Sequence, residues 1–289
     1  TMSRNIHEVY VSPLTSRYSS AQMSRLFSSQ FRISTFRKLW TALAKAQMNL
    51  GLPVTLEQVV ELEENTQKID FDKVSVYEKR FRHDVMAHIH AFGDQCPKAK
   101  PIIHLGATST YVTDNTDLIQ MKEALQLLFS KLIHLLRLMG KLAENEAFSP
   151  TLGYTHYQAA QPTTIGKRIS LWTQDFLFDA QEIERQIMSL PFLGVKGATG
   201  TQASFLSLFG GDSKKVKQLE EMIARSFGFP KVLTLSGQTY TRKVDLHILN
   251  SFSSLAASAH KMATDIRLLS HDGEIYEKKA EGEVGSSAM

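Results

Sequence analysis

The chain has 289 residues, of which 43% are hydrophobic and 21% are charged, and its formal net charge is +4. This balance is typical of a folded globular protein and disfavours both a disordered chain and a membrane protein. No run of lysine and arginine is interleaved with aromatic residues, so nucleic-acid binding is not expected. A moderately basic chain instead suits a small anionic substrate.

Cys96 is the single cysteine, so an intrachain disulfide cannot form and no cysteine-based metal cluster is indicated. We therefore expect a reducing, cytoplasmic setting. The first residues lack the apolar core of a signal peptide, and no stretch has the length and apolarity of a transmembrane span, so no membrane partner is expected.

The beginning of the chain predicts a small helical domain. An early helix with an apolar face is expected to end at Gly51, because glycine favours helix ends. Thr55 and Gln58 then form a capping-box pattern that opens the next helix. We place the end of this N-terminal domain at residue 111, which gives domains of 1–111 and 112–289.

Three later segments repeat apolar residues every three or four positions over much longer stretches than an ordinary helix. They run from about Asp114 to Glu146, from Pro162 to about Ser189 and from about Thr239 to Ser270, with Pro162 at a first-turn position that tolerates proline. Such long helices offer more apolar surface than three of them can cover. The sequence therefore predicts an all-α fold whose long-helix bundle is completed by other subunits.

Gly194, Gly197 and Gly200 form the pattern G-x-x-G-x-x-G. This pattern lacks the Gly-Lys-Ser/Thr ending of a P-loop, and no predicted strand precedes it as a dinucleotide site would require. We interpret it as a tight connection between helices. No other motif indicates a cofactor.

His83, His88 and His90 are close together in sequence. On one straight helix, offsets of five and seven residues would place His83 and His90 near one face and turn His88 about 140° away. Three ligands could not converge on a metal ion from that arrangement, so no metal site is expected. Asp84 and His88, four residues apart, have the spacing of a side-chain pair.

Seven segments match, in order, the motifs of a known family. They are R-Y-S, K-R-F-R-H-D-V-M-A-H-I-H, I-I-H-L-G-A-T-S-T-Y-V-T-D-N-T-D, T-L-G-Y-T-H-Y-Q, V-K-G-A-T-G-T-Q-A-S-F, S-G-Q-T-Y-T-R-K-V-D and G-S-S-A-M. The chain resembles the fumarase/aspartase superfamily of elimination enzymes, whose signature loop reads roughly G-S-S-x-M-P-x-K-x-N-P. Only the beginning of that loop is present before the chain stops at Met289, so we expect little activity from this chain alone.

The resemblance implies elimination of fumarate from a succinylated amine. This reaction needs a base that removes a proton from the carbon beside a carboxylate, and an acid that protonates the departing nitrogen. His156 is the implied acid, a role that suits imidazole because its unperturbed pKa is about 6.5. Ser286, the first serine of the loop, is the implied base, and a loop that closes over substrate and excludes water would help its hydroxyl to ionise.

Other positions in the matching motifs are implied substrate contacts. Thr155 would bind a carboxylate or phosphate, and Thr108 and Ser109 lie just before a predicted long helix, a good place to hold a carboxylate. Arg17 with Tyr18 resembles a nucleotide-phosphate contact, since guanidinium geometry suits phosphate. The remaining implied contacts are His83, Asp84, Gln238 and Arg242.

The roles of two of these residues stay open. His83 would contact a substrate phosphate or support His156, and Arg242 is either a substrate contact or a solvated side chain. The resemblance further implies a small-molecule substrate, no cofactor and a homotetramer with shared active sites. The expected substrate is a succinylated purine nucleotide or its precursor. The alternatives are a relative that acts on argininosuccinate and a non-catalytic helical assembly module.

Overall fold

The computed structural model describes residues 10–276, 278 and 281–282. Most of these residues are helical, which confirms the predicted all-α class. The described residues also contain a two-stranded sheet that was not predicted. The chain divides into two compact units. The first comprises the described residues up to Phe129 together with Glu184–Leu246, and the second comprises Ser130–Ile183 with the described residues from His247 onward. The boundary predicted at residue 111 divides the chain differently and stays a prediction.

The helices and strands follow one another in a simple order. In the described chain the helices are α1 (Ala21–Leu26), α2 (Ser29–Asn49), α3 (Leu56–Asn65), α4 (Phe71–Phe81), α5 (Asp84–Gln95), α6 (Ser109–Asn145), α7 (Ile165–Ser189), α8 (Ala203–Leu208), α9 (Ser213–Ser226) and α10 (Lys243–His271). The strands β1 (Pro150–Thr155) and β2 (Gln158–Thr164) lie between α6 and α7, and a short π-helix, Leu14–Tyr18, precedes α1.

The core of the first unit forms where α2 and α5 meet the start of α6. Trp40 stacks on Phe92 with ring centroids 6.1 Å apart, and the guanidinium of the buried Arg37 lies 4.4 Å from the centroid of the same Phe92 ring. The hydroxyl of Tyr111 on α6 donates to the carbonyl of Leu39 at 2.8 Å. The hydrogen bond of Tyr111 fixes the first turn of α6, beside the predicted substrate contacts Thr108 and Ser109.

The local signals at the end of α2 and the start of α3 are confirmed. Gly51 follows α2 with φ at +91°, a left-handed conformation that glycine adopts without steric penalty. The side chain of Thr55 accepts a hydrogen bond from the backbone of Gln58, and the side chain of Gln58 accepts one from the backbone of Thr55. This reciprocal capping box satisfies two donors that a helix start leaves free.

The three predicted long helices are present as α6, α7 and α10, with 37, 25 and 29 residues. In the second unit, Trp172 of α7 donates from Nε1 to Asp265 of α10 at 2.8 Å. One turn further along each helix, Lys261 lies 3.3 Å from Asp175. These polar contacts pair the two helices side by side. None of the described helices is both long and apolar enough to cross a lipid bilayer.

The prediction that α7 begins at Pro162 is wrong. Pro162 belongs to β2 and lies opposite Leu152 of β1, and α7 begins at Ile165. Both strands of a two-stranded sheet are edges, so a residue without an N–H group is tolerated there. The hairpin was not predicted because most of its residues are exposed, and no apolar alternation marks either strand.

The G-x-x-G-x-x-G segment lies in the connection between α7 and α8, as predicted. Gly194 and Gly200 have φ values of +87° and +80°. A Cβ atom at Gly200 would collide with the backbone carbonyl of Ser236, so the two loops approach closely only because position 200 has no side chain.

Candidate active site

His156 and Tyr157 form the two-residue turn that joins β1 and β2. Thr155 pairs with Gln158 across the end of the hairpin, and the φ values of His156 and Tyr157 are +52° and +58°. Positive φ at both central residues is the mark of a type I′ turn, whose twist matches that of a hairpin. The turn leaves His156 exposed. The predicted polar loop is therefore a defined turn that presents the imidazole to solvent.

Glu274, just after α10, binds strand β1 of this hairpin. Its carboxylate accepts hydrogen bonds from the hydroxyl of Tyr154 at 2.6 Å, from the hydroxyl of Thr151 at 3.0 Å and from Nη1 of Arg168 at 3.0 Å. These donors, with Tyr154 contributing most, hold the pKa of the Glu274 carboxyl below its ordinary value. The carboxylate is thus kept ionised where β1 and α7 meet the end of α10.

Two further contacts complete this arrangement. The hydroxyl of Tyr157, in the turn itself, donates to Oδ1 of Asp272 at 3.3 Å. Arg168 uses Nη2 to donate to the backbone carbonyl of Leu152 at 2.7 Å. We call Arg168, Asp272 and Glu274 the hairpin clamp, because each of them makes a hydrogen bond to β1 or to the turn.

A cavity of about 500 Å³ lies beside the hairpin in the second unit. Its wall includes Thr155 and Tyr157 from the hairpin, Arg168 and Trp172 from α7, and Asp272 after α10. Cavities of this size accommodate small organic ligands. Thr155, a predicted substrate contact, lines the cavity one residue before His156.

In the first unit the structure brings together two other predicted substrate contacts, Thr108 and Gln238. The side-chain amide of Gln238 donates to the hydroxyl of Thr108 at 3.3 Å, although the residues are far apart in sequence. Thr108 immediately precedes α6, and Ser109 is the first residue of that helix. The start of a long helix carries a partial positive charge that favours a bound carboxylate. This geometry suits the anionic ligand that the motif predicts.

The loop before α6 is held in place by its neighbours. Gln47 donates from its side chain to the carbonyl of Leu105 at 2.9 Å, and Ser204 donates to the carbonyl of Gly106 at 2.7 Å. Gly106 has φ at +78°, and a Cβ atom there would collide with Leu208. The position of Thr108 is therefore set by side chains from α2 and α8.

Arg242 is engaged by protein carboxylates. Its guanidinium lies 3.3 Å from Oδ1 of the buried Asp114 and 3.8 Å from Oδ2 of Asp245, and it lies over the ring of Tyr240 at 4.2 Å from the centroid. Asp114 also accepts a hydrogen bond from the backbone N–H of Tyr240 at 3.0 Å. About half of the Arg242 side chain is exposed. Arg242 therefore has a structural role in the first unit, and its contact with substrate stays a prediction.

His83 caps α5. Its Nδ1 accepts a hydrogen bond from the backbone N–H of Met86 at 3.4 Å and lies 3.4 Å from Oδ1 of Asp84. Lys79 and Arg82 join these residues around an open cavity of about 790 Å³. Glu78 and Asp84 line the same cavity and balance the two cations, so the phosphate contact predicted for His83 stays a prediction.

For three of the predicted site residues the structure adds little or nothing about their roles. Arg17 and Tyr18 lie at the end of the π-helix, and both side chains are exposed. Ser286 lies outside the described residues. Their predicted roles stay predictions.

His88 and His90, which follow His83 in sequence, pack against aromatic rings. His90 stacks on Phe81 with ring centroids 4.6 Å apart, and His88 is buried edge-on against Phe36. Burial, followed by the charge of Arg37, lowers the pKa of His88 to about 4. Within the described part of the chain, no three His, Cys, Asp or Glu side chains are grouped closely enough to hold a metal ion.

The hairpin clamp is the part of the site that sequence reasoning missed. Arg168 follows the hairpin motif, whereas Asp272 and Glu274 lie more than a hundred residues beyond β1. No motif or spacing connects these positions with Tyr154 or Tyr157. Only the folded backbone shows that they meet.

The amino-acid sequence of this chain matches an established protein family. The family profile described as lyase matches residues 12–289 of the chain. The chain belongs to this lyase family, and the resemblance to the fumarase/aspartase superfamily is confirmed.

Two yeast proteins are similar to nearly the whole chain. Adenylosuccinate lyase of Saccharomyces cerevisiae is 48% identical over 98% of this chain and 59% of its own length. Adenylosuccinate lyase of Schizosaccharomyces pombe is 48% identical over 97% of this chain and likewise 59% of its own length. The chain thus spans about three fifths of the length of these relatives.

Two solved structures share the fold. A 3-carboxy-cis,cis-muconate lactonizing enzyme from Pseudomonas putida superposes with a TM-score of 0.77 at 22% identity, covering 89% of this chain and 57% of the other. A fumarate lyase from Mesorhizobium sp. BNC1 gives 0.73 at 23% identity, covering 86% and 57%. At these identities the likeness establishes the fold alone.

Proposed function

We propose that the natural gene product is an adenylosuccinate lyase. It would eliminate fumarate from adenylosuccinate to give AMP, and from the succinylated imidazole-carboxamide ribotide of purine synthesis to give the free carboxamide. The observation that carries the proposal is the exposed His156 on its hairpin turn, in a chain that is 48% identical to relatives bearing this name.

The chemistry divides between two groups. Ser286 removes a proton from the carbon beside a substrate carboxylate, the carbon–nitrogen bond breaks as the new carbon–carbon double bond forms, and His156 donates a proton to the departing nitrogen. General acid–base transfer of this kind typically contributes 10²- to 10⁴-fold, roughly, to the rate. The exposed position of His156 supports this role, because an acid that meets substrate must be accessible.

The substrate anions have candidate partners on described surfaces. Thr108 and Ser109 at the start of α6, with Gln238 beside them, suit a succinyl carboxylate. Lys79, Arg82 and His83 are candidate phosphate contacts at the open cavity before α5, which Glu78 and Asp84 also line. An amino-acid substrate such as argininosuccinate carries no phosphate to use these cationic groups, which favours the nucleotide.

A substrate comparison tests the proposal. The natural gene product should release fumarate from adenylosuccinate and from the imidazole ribotide, and release from argininosuccinate should be at background. Release from argininosuccinate alone would overturn the proposal in favour of the amino-acid enzyme. Release from none of the three substrates would favour a non-catalytic assembly module.

We also propose a homotetramer with shared active sites in the cytoplasm. In the second unit, large apolar side chains are exposed along the long helices. Examples are Leu138 and Leu142 of α6, Phe178 of α7 and Leu249 of α10. Covering them in a bundle of several subunits would remove this apolar surface from water. The sole cysteine, Cys96, is consistent with a reducing compartment.

A further inference from the structure

The turn that carries His156 has a backbone conformation that needs support. Left-handed φ values at two successive non-glycine residues, His156 and Tyr157, cost about 1–2 kcal/mol each. Such conformations persist where surrounding contacts over-determine them, and they cluster at functional sites. Few of these contacts come from burial, since most of the hairpin is exposed.

The support comes instead from the end of α10. Glu274 accepts hydrogen bonds from Tyr154 and Thr151 of β1 and from Arg168 of α7. Its carboxylate therefore joins β1, α7 and the chain just after α10. Charge-assisted hydrogen bonds of this type are shorter and stronger than neutral ones. The contact from Tyr157 to Asp272 holds the turn residue itself.

We propose that Glu274 is a positioning residue that holds the hairpin and thereby sets the place of the His156 imidazole. The inference rests on the proposed function, because it assumes that His156 transfers a proton to the substrate. Glu274 acts through Tyr154, which lies two residues before His156 on β1. It makes no contact with the imidazole in the structure, so its effect is on geometry and not on the proton itself.

Glu274→Gln is the primary variant, because it keeps the side-chain shape and removes the charge. Its amide group can accept only at one oxygen, and its NH₂ group would face the donors that now point at the carboxylate. Tyr154→Phe removes one donor and leaves the ring. Glu64→Gln, at an exposed position on α3, is the matched control.

Steady-state fumarate release should separate positioning from binding. In Glu274→Gln we expect kcat to fall about 10- to 100-fold, since displacement of a reacting group by about 1 Å has effects of that size. KM should change less than about threefold, because an interaction used for chemistry and not for substrate binding lowers kcat. Tyr154→Phe should show a smaller loss, and combining it with Glu274→Gln should add little. Glu64→Gln should match the wild type.

Hydrogen exchange gives a readout independent of activity. Amides of residues 150–164 should exchange several-fold faster in Glu274→Gln than in Glu64→Gln, while exchange in α2 and α5 should be unchanged. Unchanged exchange in the hairpin would overturn the inference whatever the activity. Should Glu274→Gln fail to fold, the same two measurements on Tyr154→Phe decide the question.

The two proposals can fail separately. A natural gene product that releases no fumarate contradicts the proposed function, while faster hairpin exchange in its Glu274→Gln variant would still show that Glu274 holds the hairpin. An active wild type with an unchanged kcat in Glu274→Gln contradicts only the positioning role. A rise in KM at constant kcat would show that Glu274 contributes to substrate binding instead, and would also overturn the inference.

Discussion

His104 is a partly buried histidine whose neutral form is required by its hydrogen bond from Trp40. The indole Nε1 of Trp40 donates to Nδ1 of His104 at 2.9 Å, and a protonated imidazole has no lone pair there to accept. Burial lowers the pKa of His104 to about 4. His104 lies in the matching motif I-I-H-L-G-A-T-S-T, and the structure shows that it accepts this hydrogen bond from the buried Trp40.

We expect this arrangement to make stability depend on pH. Between about 6.5 and about 4 the unfolded chain binds a proton at His104 that the folded chain does not, so stability falls as the pH is lowered through this window. The slope for one such group is at most about 1.4 kcal/mol per pH unit. His88, with a pKa also lowered to about 4 by burial, adds to the effect.

Urea denaturation at several pH values from 4.5 to 7, roughly the titration window, measures this effect. His104→Gln retains an oxygen that can accept from Trp40 and removes the titrating group, so its stability should fall less steeply toward acid than that of the wild type. His134→Gln, at an exposed position on α6, is the matched control for a change of histidine to glutamine. Equal slopes in all three proteins would contradict this interpretation of His104.

The long helices were predictable as elements, and the hairpin between two of them was not. The α6, α7 and α10 stripes repeat at helical spacing, and only their ends shifted by a few residues. The hairpin has neither an apolar face nor a glycine at its turn, where His156 and Tyr157 adopt positive φ instead. Its stability depends on contacts with distant residues, which local sequence does not encode.

Two glycines test how closely α6 and α7 approach each other. A Cβ atom at Gly166, in α7, would collide with the backbone carbonyl of Ala143 and the backbone of Ala147, whereas one at Gly140, in α6, would meet nothing within 4 Å. Gly166→Ala should therefore destabilise the protein by about 1–3 kcal/mol through overpacking. Gly140→Ala should stabilise it by up to about 1 kcal/mol through helix propensity.

Denaturant midpoints of the two variants provide the measurement. The opposite signs make Gly140→Ala an internal control for the intrinsic effect of alanine in a helix. If Gly166→Ala were as stable as the wild type or more so, the close approach of α7 to the end of α6 would be refuted.

At the scale of the whole molecule, exposed apolar residues on the long helices predict association. The motifs identified the individual candidate residues, but sequence alone did not reveal that hydrogen bonds to Glu274 and Asp272 hold the hairpin. We expect assembly through the same long helices, because large apolar side chains on them are exposed.

Sedimentation should show a tetramer for the natural gene product. Phe178→Arg places a charge on an exposed position of α7, and a charged residue at the centre of an apolar interface disfavours association. We expect this variant to sediment as smaller species, and Lys45→Arg, at an exposed position of α2, to sediment as the wild type does. A wild-type protein that is monomeric at all concentrations would contradict the proposed assembly.

Shared active sites predict complementation between inactive subunits. Mixtures of His156→Ala and Ser286→Ala proteins should recover part of the fumarate release, because some sites would then combine two intact groups. Subunit exchange must first be shown with labelled proteins. No recovery despite proven exchange would mean that both groups act from the same polypeptide.

The central claim is that the imidazole of His156 transfers a proton during carbon–nitrogen bond cleavage. Fumarate release from adenylosuccinate by the natural gene product and by its His156→Gln variant tests it most directly. We predict that kcat falls by roughly 10²- to 10⁴-fold in the variant while the fold and the assembly are retained. A variant that releases fumarate at the wild-type rate would contradict the account.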